Sequence, residues 1–311
     1  MSISMNKCPD AILTSDWHLR ENKPKCRLED DWMKVQYEKI SFIKAIQWDV
    51  EDQFGYICPI LFAGDLFNHW KPSPFLISFA LRFMPELVAI PGNHDTPAHN
   101  LERINLSGIY TLALTKFVYL VFNTGWNNRK DWKFELLSVP FGQKLVPNNR
   151  GKMPSVAMIH HFVYKGRKPF PGATGGCSGV MKKLKGFDLI LSGDNHKPFT
   201  HRNEKTGQLL VNPGCLTRQS AAEADYKPRI YLWYAKENEV EPVYIPIRKD
   251  VVTREHLDKE TERVERISAY IEALSNEMEL GLDFEANLRE YLITNKVGKP
   301  IKTKIYEAME K

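Results

Sequence analysis

Short apolar runs rich in β-branched residues recur along the first 250 positions, and many of them stop at a turn residue. Runs of this length with abrupt polar ends are typical of buried strands. Helical spacing of apolar residues lies between several of them, in 31–47, 75–84 and 101–114. Strands that alternate with helices, and later follow one another closely, predict an α/β fold with one mixed sheet or two sheets. The predicted strands are Ala11–Thr14, Tyr56–Ala63, Leu87–Ile90, Phe117–Phe122, Phe134–Val139, Val156–Ile159, Leu189–Leu191, Leu209–Val211, Ile230–Tyr234 and Val243–Ile247.

The pattern changes after residue 247, so we predict one domain over 1–247 and a helical appendage over 248–311. Apolar residues of the appendage follow helical spacing in two or three groups. The expected outcome is packing of this apolar face on its own domain, with docking of a partner as the alternative. The groups are Val264, Ile267, Ile271, Leu274 and Met278, then Phe284, Leu288, Tyr291 and Leu292, then Ile301, Ile305 and Met309.

Composition narrows the class of protein. The chain has 311 residues, of which 43% are hydrophobic and 26% charged, as in ordinary globular proteins. Lys and Arg exceed Asp and Glu by 43 to 38, and the excess lies before residue 250, which suits a phosphate-bearing partner without requiring one. The five cysteines form no C-x-x-C pair, which favours a reducing compartment. We find no secretory signal and no apolar stretch that could span a bilayer, and therefore expect a cytoplasmic protein without a membrane partner.

Five polar segments follow predicted strands, and they hold five of the nine histidines. Loops at the ends of strands are where α/β proteins assemble their sites. Taken singly, each segment is typical of an ordinary turn, and only their combination indicates a site. The segments are Ser15–His18, Gly64–Phe67, Gly92–Asp95, Ile159–His161 and Gly193–His196.

Together the segments offer seven candidate metal ligands. Two D-x-H pairs each supply a carboxylate and an imidazole, Asp65 can bridge two ions, and Asn93 offers an amide oxygen. Two ions about 3.5–4 Å apart need roughly this number of ligands. Imidazole and oxygen donors without thiolate favour manganese, iron or zinc. The predicted ligands are Asp16, His18, Asp65, Asn93, His160, Asp194 and His196, with His161 left as a neighbouring or surface residue.

The third segment also predicts catalytic residues. His94 can donate a proton to a phosphoryl oxygen or hold that oxygen electrostatically. Asp95 can fix the tautomer of His94, so we predict both as catalytic.

This set of motifs resembles the calcineurin-like metallophosphoesterases, in which D-x-H, G-D, G-N-H-D, H and G-H-x-H occur in the same order. Residues 212–216 resemble the family's closing N-P-G-S-L turn, with Cys215 in place of Ser. The resemblance implies an α/β/β/α sandwich of two sheets, here with a small helical C-terminal appendage. It also implies a two-metal phosphodiesterase in which a hydroxide activated by the ions attacks phosphorus.

Within this superfamily, Gly64–Phe67 with Pro72–Pro74, and Gly193–Pro198, are similar to motifs of the SbcD-type DNA repair nucleases. That similarity implies a DNA exonuclease or endonuclease subunit of a repair or recombination complex, in a bacterial cell or a phage-infected host. Its implied partners are DNA and an SbcC-type ABC ATPase bound through the C-terminal helices. Whether the chain also forms a homodimer is left open.

The chain departs from the branch at two positions. Asp194 replaces the first His of G-H-x-H, which tilts the site towards manganese or magnesium. Asn68 stands where some relatives have a His, and whether the neighbouring His69 substitutes is open.

Two other function classes remain open. A phosphatase or phosphodiesterase acting on small molecules or phosphoproteins would share every metal ligand, whereas a scaffold without catalysis predicts missing ligands. Basic residues in 165–168 and 182–185 either follow a DNA backbone or form a solvated face. The Gly-rich stretch 171–179 is predicted to be a flexible surface loop.

Overall fold

The computed structural model describes residues 5–127, 129, 131–149, 153–255, 266–268 and 284–309. The chain forms two compact units, residues 1–253 and 254–311, where the sequence predicts a boundary after 247. Residues 251–253 belong to the first unit because Leu28 N donates to Val251 O at 3.0 Å and Thr253 N to Cys26 O at 2.8 Å. No helix in the described parts of the chain is long and apolar enough to cross a membrane.

Twelve strands lie among the described residues of the first unit. They form two six-stranded sheets, ordered β12-β11-β1-β2-β3-β4 and β5-β6-β7-β8-β10-β9. Both sheets are mixed: the first has antiparallel strands at its β12-β11 margin and parallel strands from β1 to β4, and the second has parallel strands in the centre with an antiparallel strand at each margin. In chain order the strands are β1 (Ala11–Thr14), β2 (Ile60–Phe62), β3 (Leu87–Ala89), β4 (Val118–Leu120), β5 (Gly125–Asn127), β6 (Glu135–Val139), β7 (Ser155–His160), β8 (Leu189–Gly193), β9 (Phe199–Arg202), β10 (Leu209–Asn212), β11 (Arg229–Tyr234) and β12 (Glu239–Tyr244).

The layers follow from the two-residue alternation of side chains along each strand. Ile60 and Phe62 pack on the outer face with helices α1 (Trp32–Phe54), α2 (Pro74–Phe83) and α3 (Gly108–Leu114), whereas Leu61 enters the core between the sheets. In the second sheet Met158 faces that central core, and Ile159 faces helix α4 (Cys177–Lys183). The result is the α/β/β/α sandwich that the sequence predicts.

Several predicted elements change their limits or their kind. The stretch 171–179 contains the start of α4, so the prediction of a flexible loop is wrong there: Cys177, Val180 and Met181 share a helical face and are buried against the second sheet. The predicted helix over 101–114 is divided, because Ser107 ends a 3₁₀ helix (Leu101–Leu106) and caps α3. Strands β5 and β9 were not predicted, since both are short and only half-buried.

The second unit contains helices α5 (Phe284–Thr294) and α6 (Lys299–Met309), as the apolar spacing predicts. Leu288 and Leu292 are buried in a small cluster with Ile305 and Tyr306. The predicted helix over 264–278 lies outside the described residues except for 266–268, which are helical. Ile293 and Ile301 stay exposed, at 69% and 54%.

Candidate metal centre

The predicted ligands meet at one edge of the sandwich, where strands of both sheets end. Asp16 and His18 follow β1, Asp65 follows β2, Asn93 follows β3, and His160 is the last residue of β7. The loop after β8 supplies Asp194 and His196. Within each sheet the contributing strands are parallel, so their carboxyl ends bring these loops to a common edge.

Asp65 lies at the centre of the cluster. Its Oδ2 atom is 3.6 Å from His18 Nε2 and 3.5 Å from His160 Nε2, while its Oδ1 accepts the His94 amide at 2.9 Å. Two ligand atoms of the same ion, each about 2.1 Å from it, lie roughly 3.0–3.5 Å from one another. Asp65 Oδ2 is therefore placed to share one ion with His18 and a second ion with His160.

The first ligand group surrounds His18. His18 Nε2 lies 3.0 Å from His196 Nε2 and 4.0 Å from Asp16 Oδ1. The ligand atoms of Asp16, His18 and His196 form one close cluster. His196 thus belongs with Asp16 and His18, a division of the last D-x-H pair that the sequence leaves open.

The second ligand group surrounds His160, whose Nε2 is 2.9 Å from Asn93 Oδ1. Asp194 is half-buried beside this group, and its backbone amide donates to Asp16 Oδ1 at 3.0 Å. Burial raises the pKa of Asp194, and the strongest opposing charge is that of His160. The carboxylate of Asp194 is the only predicted acidic ligand outside the close clusters found among the described residues.

The backbone of the centre is held in a conformation that L-residues rarely adopt. Asp16, His18, Asp65 and Asp194 have φ angles of 52°, 47°, 62° and 84°. Such left-handed residues cost free energy and concentrate at functional sites. Gly64 precedes Asp65 with φ 95°, and a Cβ there would overlap the imidazole of His160. Glycine at this position is therefore required for His160 to approach Asp65.

The polar atoms of the centre fit a bound cation. His160 Nδ1 lies 2.6 Å from Ala63 O, which can only accept, so Nδ1 carries a hydrogen. In neutral His160 the Nε2 lone pair then faces oxygens of Asn93 and Asp65, and a cation between them satisfies all three. Asp16 Oδ2 is buried and has no hydrogen-bond partner among the described residues. Unsatisfied buried acceptors of this kind are the ligands that a cation needs.

The electrostatics agree with this assignment. Burial lowers the pKa of His18 to about 3, so its ring is neutral and can act as a ligand. Burial also opposes a charge on His160, but the carboxylates of Asp65 and Asp16 outweigh it and raise its pKa to about 10. Without an ion, the carboxylates therefore hold a proton on His160, because the pocket requires a compensating positive charge.

Glu223 is a residue of the centre that sequence reasoning missed. Its Oε1 atom lies 2.9 Å from His196 Nδ1, so it fixes the tautomer that leaves Nε2 as the ligand atom. Its other oxygen accepts from the Cys215 thiol at 3.3 Å and from the Gln219 amide at 2.6 Å. The only sequence signal was the capping box Ser220–Glu223, which indicates a helix start rather than a site.

Asp95 does not orient His94, so that part of the prediction is wrong. The buried Asp95 carboxylate accepts the backbone amides of Asp65, Leu66, Phe67 and Gly92 at 2.9–3.2 Å. A buried carboxylate needs several donors, and the turn after β2 provides three of the four. Asp95 therefore holds the loop that carries Asp65.

His94 is exposed at the rim of the centre and takes its partner from another loop. Its Nδ1 atom lies 2.8 Å from Asn68 O, and its ring meets the His18 ring edge-on at a centroid distance of 4.7 Å. The exposed His69 ring has a partner of its own, because its Nδ1 accepts the Lys71 amide at 3.2 Å. Asn68 thus contacts His94 through its backbone carbonyl. Within the described structure, His69 makes no hydrogen bond to a predicted metal ligand.

Two candidate ligand groups that share one carboxylate, at the edge where strands of two mixed sheets end, form the arrangement that a binuclear metal-dependent hydrolase requires. Residues 11–198 match the calcineurin-like phosphoesterase model, which spans more than half of the chain. The chain therefore belongs to the calcineurin-like phosphoesterase family, whose chemistry is metal-dependent hydrolysis of phosphoesters. No curated protein matches the sequence significantly.

Solved structures of low sequence identity resemble the fold. A metallophosphoesterase from Sphaerobacter thermophilus has 13% identity over 76% of this chain and 89% of its own, with a TM-score of 0.40. The sulfate thiohydrolase SoxB from Thermus thermophilus has 11% identity over 78% of this chain and 58% of its own, with a TM-score of 0.40. A hypothetical protein from Pyrococcus horikoshii has 10% identity over 82% of this chain and 93% of its own, with a TM-score of 0.40. At this similarity, the family assignment rests on the sequence match alone.

Replacement of Glu223 by Ala is expected to weaken binding of one manganese ion by roughly 10–100-fold, because His196 loses the group that orients it. Isothermal titration of the metal-free protein measures both sites, and the second site should keep its affinity. The matched control is Cys215→Ser, which retains a donor to Glu223 and should bind both ions as the wild type does. Unchanged affinity at both sites in Glu223→Ala would contradict the orienting role.

Proposed function

We propose that the protein is a two-metal phosphodiesterase that cleaves DNA, as the nuclease subunit of an SbcD-type repair or recombination complex. The observation that carries the two-metal reaction is Asp65 Oδ2, at 3.5–3.6 Å from both His160 and His18. DNA as substrate is supported by the resemblance of 64–67 and 193–198 to that nuclease branch. The excess of Lys and Arg before residue 250 further supports a polyanionic substrate.

Each ion has a defined set of residues that would hold it. When bound, divalent ions lower the pKa of water and neutralise the charge of a phosphodiester. One ion would be held by Asp16, His18, Asp65 and His196, and the other by Asp65, Asn93, His160 and Asp194. Oxygen donors are numerous and Asp194 replaces an imidazole, so manganese is the favoured ion, with magnesium, iron and zinc as alternatives.

His94 is the residue that contacts the substrate in this proposal. Asn68 O fixes Nδ1, so Nε2 is available at the exposed rim of the centre. From there a protonated His94 would donate to the leaving oxygen or stabilise its negative charge.

The C-terminal helices are the proposed binding element for an ABC-type ATPase. Ile293 on α5 and Ile301 on α6 are large apolar side chains exposed at 69% and 54%. If these side chains form one contiguous apolar surface, that surface would suit a protein partner. Formation of a homodimer by this chain stays a prediction.

The direct test is cleavage of end-labelled duplex and hairpin DNA with manganese or magnesium, alone and with a co-expressed ABC-type ATPase. We expect manganese-dependent degradation that EDTA abolishes, and co-purification of the ATPase with the intact chain. The same preparation is assayed on a nucleotide monophosphate and a phosphopeptide. Rapid turnover of either one, with none on DNA, would replace the nuclease with a phosphatase acting on small molecules or proteins.

A further inference from the structure

The segment that follows the metal ligand His160 has an unusual charge. Residues 161–187 contain six Lys and Arg and no Asp or Glu. Solvated faces normally mix both signs, as this chain does overall, with 43 basic and 38 acidic residues. Lys165, Arg167 and Lys168 lie in residues 161–170, which we term the aromatic–basic loop. None of these three makes an ion pair with a described residue.

The base of the aromatic–basic loop is fixed against the metal centre. Val163 O accepts from Asn195 Nδ2 at 2.6 Å, and Asn195 lies between the predicted ligands Asp194 and His196. Tyr164 N donates to Gly175 O at 2.9 Å, and Lys165 Nζ to Thr200 O at 3.0 Å. The loop therefore begins at one ligand, His160, and is tied to the loop that carries two others.

The aromatic–basic loop carries a cluster of three aromatic rings. The Phe162 and Phe170 centroids are 5.4 Å apart at an angle of 46°, and those of Phe162 and Tyr164 are 6.5 Å apart at 40°. Phe170 is 51% exposed, although it is large and apolar. Its contact with Phe162 leaves part of the Phe170 ring open to solvent, on a loop whose cations have no ion-pair partner among the described residues.

We propose that the aromatic–basic loop binds single-stranded DNA and leads its end to the metal centre; this rests on the proposed nuclease function. An open aromatic face stacks on any unpaired base, and neighbouring cations follow the phosphate backbone. Bases within a duplex are already stacked and cannot use Phe170 in this way. The substrate class is thus a single strand or a frayed end.

The test compares binding and turnover in the full-length protein. Fluorescence anisotropy with a labelled single-stranded oligonucleotide and no divalent metal measures affinity apart from catalysis. Phe170→Ala should weaken binding by about 5–150-fold, the equivalent of losing one stacked base. Phe170→Trp should bind as the wild type does, and Phe170→Leu should bind as Phe170→Ala does. The matched control is Phe75→Ala on α2, which removes a similarly exposed phenyl ring (57%) and should change nothing.

Two further measurements separate the parts of the inference. A double variant, Arg167→Gln and Lys168→Gln, should bind single strands with a weaker salt dependence. The slope of the logarithm of the binding constant against the logarithm of salt concentration should fall by about 0.7 for each phosphate that is no longer neutralised. Hydrolysis of bis(p-nitrophenyl) phosphate should be unchanged in all these variants, because the small diester needs only the metal centre.

The outcomes distinguish this inference from the proposed function. A wild-type chain that hydrolyses the small diester but cleaves no DNA overturns the nuclease, whereas single-strand binding still reports on the loop. Normal single-strand binding by Phe170→Ala or Phe170→Leu overturns stacking on this ring. An equal loss by Phe170→Ala on blunt duplex overturns the preference for single strands.

Discussion

Substitution of Asp65 by Asn is expected to abolish phosphodiester hydrolysis and to reduce the number of bound ions. Asp65 Oδ2 is the oxygen shared by the His18 and His160 groups, and an amide that presents NH₂ there cannot bridge two cations. Losing the alignment of two ions removes several kcal/mol of transition-state stabilisation, which corresponds to at least about 10³-fold in kcat/KM. Steady-state kinetics and metal analysis of the purified variant measure both effects.

The matched control for this prediction is Asp188→Asn. Asp188 accepts from the Ser155 amide and hydroxyl at 2.8 and 2.9 Å, next to the amino ends of β7 and β8. It is therefore a structural carboxylate at the opposite edge of the sheet. Wild-type kinetics are expected for Asp188→Asn, and an Asp65→Asn enzyme that kept both its ions and its rate would refute the bridging role.

Substitution of His94 by Gln is expected to abolish turnover while both ions stay bound. Gln cannot act as a proton donor, and loss of general acid catalysis costs about 10²–10⁴-fold. The backbone amide of residue 94 still donates to Asp65 Oδ1, so the bridging carboxylate keeps its position. Kinetics on a diester, paired with manganese titration, separate the catalytic effect from the metal effect.

His69→Gln is the matched control for His94, because it removes an exposed imidazole from a neighbouring loop. The His69 ring accepts the Lys71 amide and stacks near Trp70, at a centroid distance of 5.3 Å. We expect an effect below about threefold in kcat. Full activity in His94→Gln would reject the catalytic role of His94, and a large loss in His69→Gln would move that role to His69.

The central part of the fold was predictable because the parallel strands are continuous apolar runs with sharp ends. Ile60–Phe62 and Leu189–Gly193 are buried along their whole length, which is what their sequences indicate. The family resemblance supplied the two-sheet sandwich, which the pattern alone left open. Strand β9 (Phe199–Arg202) escaped prediction because all four residues are half-buried, so no face is marked by apolar residues. Helix α4 escaped because its buried face begins directly after two glycines.

The metal centre was predictable in its ligands and less so in their supports. Short motifs after strands disclosed Asp65 and His160, because parallel strands bring such loops together whatever lies between them. The partners of Asp95 and His94 could not be found in this way, since neighbours in sequence point to different loops where the chain turns at residues 93–95. Glu223 lies beyond the last recognised motif, and nothing in its local sequence reports that it faces His196.

Anomalous diffraction from crystals grown with manganese tests the two-metal centre most directly. The structure predicts two peaks about 3.5–4 Å apart, on either side of Asp65 Oδ2. One peak should contact Asp16, His18 and His196, and the other Asn93 and His160. A single peak, or peaks that do not share Asp65, would contradict the two-metal centre.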